Sequence, residues 1–140
     1  MRRFAILAAL CLFGLPAAAG ETPSPAGARV FFVNLHDGDT IQNPVVIKMG
    51  IAGMTLAPAG TESPATGHHH LLIDVDAPQG EELNEAIAKD DVHIHFGNGQ
   101  TEAAIELNPG PHTLQLVLGD WSHIPHNPPV MSERITITVK

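Results

Sequence analysis

The sequence has a single cysteine, Cys11, only 7 basic residues, and no apolar run beyond its first 15 residues that approaches membrane-spanning length. Each shortage excludes something. A transmembrane helix needs about 20 apolar residues, and the stretch from Phe4 to Leu15 is shorter than that. Two arginines precede it and Ala17-Ala18-Ala19 follows it, so residues 1–19 are expected to be a secretory signal peptide cut after Ala19, with no membrane span elsewhere. A lipid anchor on Cys11 would need a small residue where Leu10 stands.

Removal of that segment takes away the only thiol. The exported chain can then form no disulfide, and any metal it holds must be met by histidine, methionine or carboxylate. Arg2 and Arg3 leave as well, so 5 basic residues face 15 acidic ones, a net charge of −10 with histidine neutral. This balance argues against nucleic acid and anionic membrane as partners and favours cations. There is no G-x-S-x-G elbow either, so no serine or cysteine nucleophile is indicated.

What remains is the size of one domain. Residues 20–28, "GETPSPAGA", read as a flexible leader, and the domain is expected over 29–140. Seven apolar, β-branched stretches follow: "RVFFVNL", "VVIKMGI", "HHLLIDV", "VHIHF", "AAIEL", "HTLQLVLG" and "RITITV". Several alternate with period two, which predicts an all-β fold, an immunoglobulin-like antiparallel β-sandwich of about seven strands. "EELNEAIAK" (81–89) is expected to be one short helical connection, and 56–67 a long irregular loop.

All nine histidines lie in this domain. On "HHHLLIDV", His69, Leu71, Ile73 and Val75 form one face, and His68, His70, Leu72 and Asp74 the other. Residues two apart on a strand are about 6.7 Å apart at Cα, from which two imidazoles can converge on one ion. On "VHIHF" the core phase of Val92, Ile94 and Phe96 sends His93 and His95 to the opposite face. His123 and His126 sit on a loop stiffened by Pro125, Pro128 and Pro129. These six, His68, His70, His93, His95, His123 and His126, are the expected metal ligands, with copper or zinc as the ion. His69, His112, Asp120, Met54 and Met131 are further ligand candidates, thioethers suiting Cu(I) and imidazole with carboxylate suiting Cu(II) or Zn(II). Met49 lies in a core pattern. A lone histidine at a strand end is more often a hydrogen-bonded rim residue, which is the simpler reading of His36 and His112 taken singly. Clustered imidazoles that were only structural would each need a buried partner or open water.

The blocks "GHHHLLID", "HFGNGQTEAAIEL", "HTLQLVLGDWSHIPHNPPV" and "GMTLAPAGT" resemble a family of secreted bacterial domains known as domain of unknown function number four-three-nine-nine, from about Val30 to Lys140. The resemblance implies a periplasmic location and motif residues at His68, His69, His70, His95, Gly99, Gln100, Thr101, Glu102, His112, Asp120, His123 and His126. Trp121 departs from it, since a smaller residue is expected there. Gln100 to Glu102 read either as turn caps or as groups that orient an imidazole through its second nitrogen. The resemblance brings no activity.

Three functions compete at this point. The first is a periplasmic metal-binding protein for copper or zinc buffering or delivery. The second is a non-metal interaction module with a pH-sensitive histidine surface. The third is a metal-dependent enzyme, for which copper-zinc superoxide dismutase is a poor template because the disulfide and the ligand spacing are missing. Fold alone favours none of them.

Overall fold

The structure is a computed structural model that describes residues 20–140; the expected signal peptide, residues 1–19, lies outside the described residues. Its strands are β1 (Arg29–Phe32), β2 (Thr40–Ile41), β3 (Val45–Ala52), β4 (Thr55–Leu56), β5 (Thr66–Ile73), β6 (His93–His95), β7 (Glu102–Ile105), β8 (Gly110–Gly119) and β9 (Ile135–Val139). Seven of these are the apolar stretches read from the sequence. The additions, β2 and β4, are two-residue strands that pair parallel with β9 and β5 and are too short to show a period.

The strands make a β-sandwich of two sheets. The smaller has the order β1-β3-β7 and is antiparallel throughout. The larger runs β2-β9-β8-β5-β4, with β6 antiparallel to β5. Alternation explains the smaller sheet directly: Val45, Ile47 and Met49 of β3 are buried while Val46 and Lys48 point away. They meet Leu71, Leu114, Leu116, Ile137 and Val139 of the larger sheet in one core, where each apolar side chain removed from water contributes about 1.5–3 kcal/mol.

Strand β5 is different. Every residue from Gly67 to Ile73 is buried, so both faces of this strand are covered. His69, Leu71 and Ile73 face the core opposite Leu118, Leu116 and Leu114 of β8. His68, His70 and Leu72 face outward, where segments folding back over the sheet enclose them. Pro78, Glu85, Ala86 and Ala88 line the surface around Leu72.

Three connections differ from the sequence reading. The helical connection is a single 3-10 turn, Gly80–Asn84, with Gln79 and Glu82 forming its capping box. It stops at Glu85, whose extended backbone ends the turn before Ile87 and Lys89 can join. Asp74, with φ of 58°, turns the chain out of β5 and ends the apolar alternation one residue before Val75. The stretch read as a flexible leader is tied down: Ser24 N donates to Asn127 O (3.0 Å) and Asn127 N to Thr22 O (2.9 Å). Its composition gives no hint of this, because the partners are backbone groups about 100 residues away. Among the described residues no helix is long and apolar enough to cross a membrane.

The covered centre of the larger sheet should dominate stability. Leu71→Ala, at a fully buried position, is expected to cost about 2–5 kcal/mol. Val46→Ala, on the exposed side of β3, should stay within about 0.5 kcal/mol of wild type. Urea unfolding of both variants checks the contrast, and equal losses would contradict the placement of the core.

Candidate metal centre

The register of the larger sheet brings the histidines together. His70 is paired with Val117 on one side and with His95 on the other, and His68 lies opposite Gly119. Facing residues on adjacent strands share a side of the sheet, so His68, His70 and His95 project to the same outer face. His123 completes the group from the loop after β8. All six ring pairs among His68, His70, His95 and His123 have centroids 4.7 to 5.9 Å apart.

The nitrogens converge more closely than the rings. His68 Nε2 and His95 Nε2 are 3.1 Å apart, and His68, His95 and His123 each offer a ring nitrogen within 4.8 Å of the others. Two nitrogens held by one tetrahedral ion at about 2.0–2.1 Å would be about 3.3 Å apart, close to the observed separation. His68 Nδ1 and both ring nitrogens of His70 are buried with no hydrogen-bond partner among the described residues. A buried polar group without a partner is costly. An ion is one way to meet that cost, and the donor set fits it. His68 and His70 are fully buried, while His95 and His123 are half-buried, so the group has a closed floor and a side open to water.

Glycine makes room for two of these rings. A Cβ on Gly97 would stand 2.3 Å from His95 Cε1, and one on Gly119 would stand 2.5 Å from His70 Cε1. Neither contact is tolerable for a real side chain, so the imidazoles occupy space that any other residue would fill. Sequence pattern alone does not single out these glycines. Gly97 stands two residues after His95, which is a visible signal; Gly119 becomes informative only through its pairing with His68.

The same packing favours the neutral form of the buried rings. Burial, together with the neighbouring His95 and His123 rings, pushes His68 down to about 4, with Asp120 acting weakly the other way. Burial and then the other three rings push His70 down to about 3. His95 is also lowered, by burial and then by His123 and Lys89. A proton on His68 or His70 would be desolvated, and any further proton in the group would be repelled by it. The lone pairs of His68 and His70 therefore remain available to a cation well below neutral pH.

The remaining expected ligands lie elsewhere. His93 shares the outer face but sits opposite Leu72, with Nδ1 2.8 Å from Asp90 Oδ1, outside the group of four rings. His126 is a staple between strands: its Nε2 is 3.0 Å from Thr66 O and its Nδ1 3.4 Å from Leu118 O. His69 faces the core, buried to 0 % exposure, with neither ring nitrogen partnered among the described residues and burial pushing it down to about 4. His112 is bonded through both nitrogens, Nδ1 to Asp74 Oδ2 at 2.7 Å and Nε2 to Asn108 O at 2.8 Å. Burial works against its charge, but the bonds to Asp74 and Asn108 outweigh it and its pKa is raised. Met54 packs against the hydrophobic core. Met131 bridges to Val117 through its backbone and lines a separate cleft with Arg29 and Phe31. Asp120 caps the turn that carries His123, both of its oxygens being engaged in hydrogen bonds. Gln100 accepts from Asn98 N at 2.8 Å, which is the turn-capping role.

Fold and site together define a β-sandwich domain that gathers four imidazoles on the covered outer face of its larger sheet. The chain belongs to the family described as Domain of unknown function (DUF4399), matched over residues 47–140. That span contains all four clustered histidines and Asp120. No curated protein and no solved structure matches the chain.

Imidazole NMR titration of the metal-free protein should separate the two kinds of histidine. His112 should titrate above 6.5, whereas His68 and His70 should stay neutral to about pH 4 and about pH 3. The linked stabilities have opposite signs. The raised pKa of His112 gives stability fully present below 6.5 and lost as pH rises through its folded value. The lowered pKa values of His68 and His70 give stability present above 6.5 and lost as pH falls toward 4 and 3. Each group changes stability by at most about 1.4 kcal/mol per pH unit inside its window. A folded-state His68 that titrates near 6.5 would contradict this environment.

Proposed function

We propose that this protein is a periplasmic metal-binding protein that holds one Cu(II) or Zn(II) ion through His68, His70, His95 and His123, for buffering or delivery. The observation that carries the reading is the convergence of four imidazoles, two of which, His68 and His70, have buried ring nitrogens with no hydrogen-bond partner among the described residues. Imidazole suits both ions, and the usual affinity order places Cu(II) above Zn(II). Neither Met54 nor Met131 belongs to the group of rings, so the soft donors that would favour Cu(I) are not part of this site. The excess of acidic residues supports a cationic ligand. Export to the periplasm rests on the sequence of residues 1–19.

The low pKa values weigh against a pH-sensitive histidine surface, because His68 and His70 do not change charge between pH 5 and 8. The enzyme reading rests on the ligand number. Should His68, His95 and His123 alone hold the ion, a fourth position would be open to water, as in catalytic zinc sites.

Calorimetric titration of protein purified without an affinity tag tests the proposal. One equivalent of Cu(II) or Zn(II) should bind, and an ion at about 100 times Kd should add roughly 2.7 kcal/mol to folding stability, read as several degrees in Tm. His68→Ala and His95→Ala should each weaken binding, and the double variant should lose less than the sum of the singles because the two share a site. His93→Ala and His126→Ala should bind the ion through the same four rings. Absence of any saturable binding would refute the proposal, as would a loss confined to His93→Ala.

A further inference from the structure

Three of the four clustered rings stand on β-strands whose ladders fix them. The fourth, His123, stands on a loop, and what holds that loop is unusual. Asp120 is 3 % exposed, and its carboxylate accepts four hydrogen bonds. Oδ1 accepts from Ser122 N (2.9 Å), Ser122 Oγ (2.8 Å) and Ile124 N (3.0 Å). Oδ2 accepts from Thr22 Oγ1 at 2.7 Å, across 98 residues of sequence. The loop closes on itself as well: His123 N donates to Asp120 O and Asp120 N to Ile124 O, both at 2.9 Å.

Within this turn His123 has φ of 73°, the left-handed region that a histidine seldom adopts without being held there. The Asp120 carboxylate bonds the backbone on both sides of it, at Ser122 and Ile124. Thr22 fixes the second oxygen of the same carboxylate, and its own backbone accepts from Asn127 N, so the segment lies along the far end of the loop. Gly20 N is bonded to Asn84 Oδ1 (2.9 Å), and Ile87 N donates to His123 O (2.9 Å). The N-terminal segment and the connection after the 3-10 turn thus grip the His123 loop from two directions.

We infer that Asp120 and Thr22 are positioning residues for the histidine centre, and that residues 20–24 form a strap that sets how firmly the centre holds its ion. This inference rests on the metal reading given above. Asp120 has no role as a ligand here, because both of its oxygens are already committed to the turn. Its task is to keep the His123 ring facing the other three. The ion stays where the strap keeps the fourth ligand in place, and loosening the strap releases it. Partners that orient a metal ligand typically alter affinity by about 10- to 100-fold when removed.

The experiment uses Cu(II) with untagged protein carrying Thr22→Val, Thr22→Ser, His123→Ala, and Thr22→Val with His123→Ala. Affinity comes from competition with a chelator, and the electron paramagnetic resonance spectrum reports the ligand field. Thr22→Val removes one hydroxyl from a half-buried position and should leave the metal-free protein folded, which its melting curve verifies. The expected result is a Cu(II) affinity about tenfold lower, with a shifted spectrum. Thr22→Ser, which keeps the hydroxyl, should restore both. In the His123→Ala background Thr22→Val should have no further effect, because its action runs through that ring. A Thr22→Val protein with wild-type affinity and spectrum overturns the inference, even if its Tm falls, and so do losses that add fully in the double variant. Failure of the wild-type protein to bind Cu(II) overturns the metal reading itself, an outcome visible before any variant is made.

Discussion

A strand buried on both faces has to place its polar side chains somewhere, and β5 carries three histidines in a row through the interior of the larger sheet. Alternation sends His69 into the core and His68 and His70 to the outer face, which folded-back segments cover. Water is therefore withheld from imidazoles on both sides of the strand. Burial without hydrogen-bonding partners is expensive for such groups, and the molecule limits the cost by keeping the rings uncharged. The architecture around them follows from this constraint. β6 supplies His95 on the same side, Gly97 and Gly119 open space for the rings, and the loop after β8 brings His123 over them.

Neutrality and crowding have the same origin. Burial disfavours charge on His68 and His70, and a second proton in the group would be repelled by the first, whereas the lone pairs of neutral imidazoles suit a divalent cation. The carboxylate nearest in role, Asp120, is spent on the turn that positions His123 and is not free to accept a proton from the rings. The contrast with His112 is instructive. There an imidazole lies beside a carboxylate and a carbonyl, both nitrogens are satisfied, and charge is stabilised.

Much of the fold was legible in the sequence because period-two alternation is a local property. Val45, Ile47 and Met49, or Ile135, Ile137 and Val139, declare their faces without reference to any other strand. The phases of His68 with His70 and of His93 with His95 were readable in the same way. Which of those side chains meet was not. His93 and His95 share a face, but register places His95 beside His70 and His93 beside Leu72, and register is a relation between segments more than 20 residues apart. Thr22, the distant partner of Asp120, was not readable, since it comes from the opposite end of the chain. The Pro- and Gly-rich composition of residues 20–28 suggested mobility for the same reason: its ties are to Asn84, Asp120, Asn127 and Pro128, distant residues that composition does not reveal.

The most direct measurement of whether the rings converge on an ion is X-ray absorption at the metal edge of untagged protein loaded with one equivalent of Zn(II). A site built from this cluster should show three or four imidazole nitrogens at about 2.0–2.1 Å, with the outer-shell scattering that imidazole rings produce. A first shell of oxygen without imidazole scattering, or zinc that washes out of the folded protein, would contradict it.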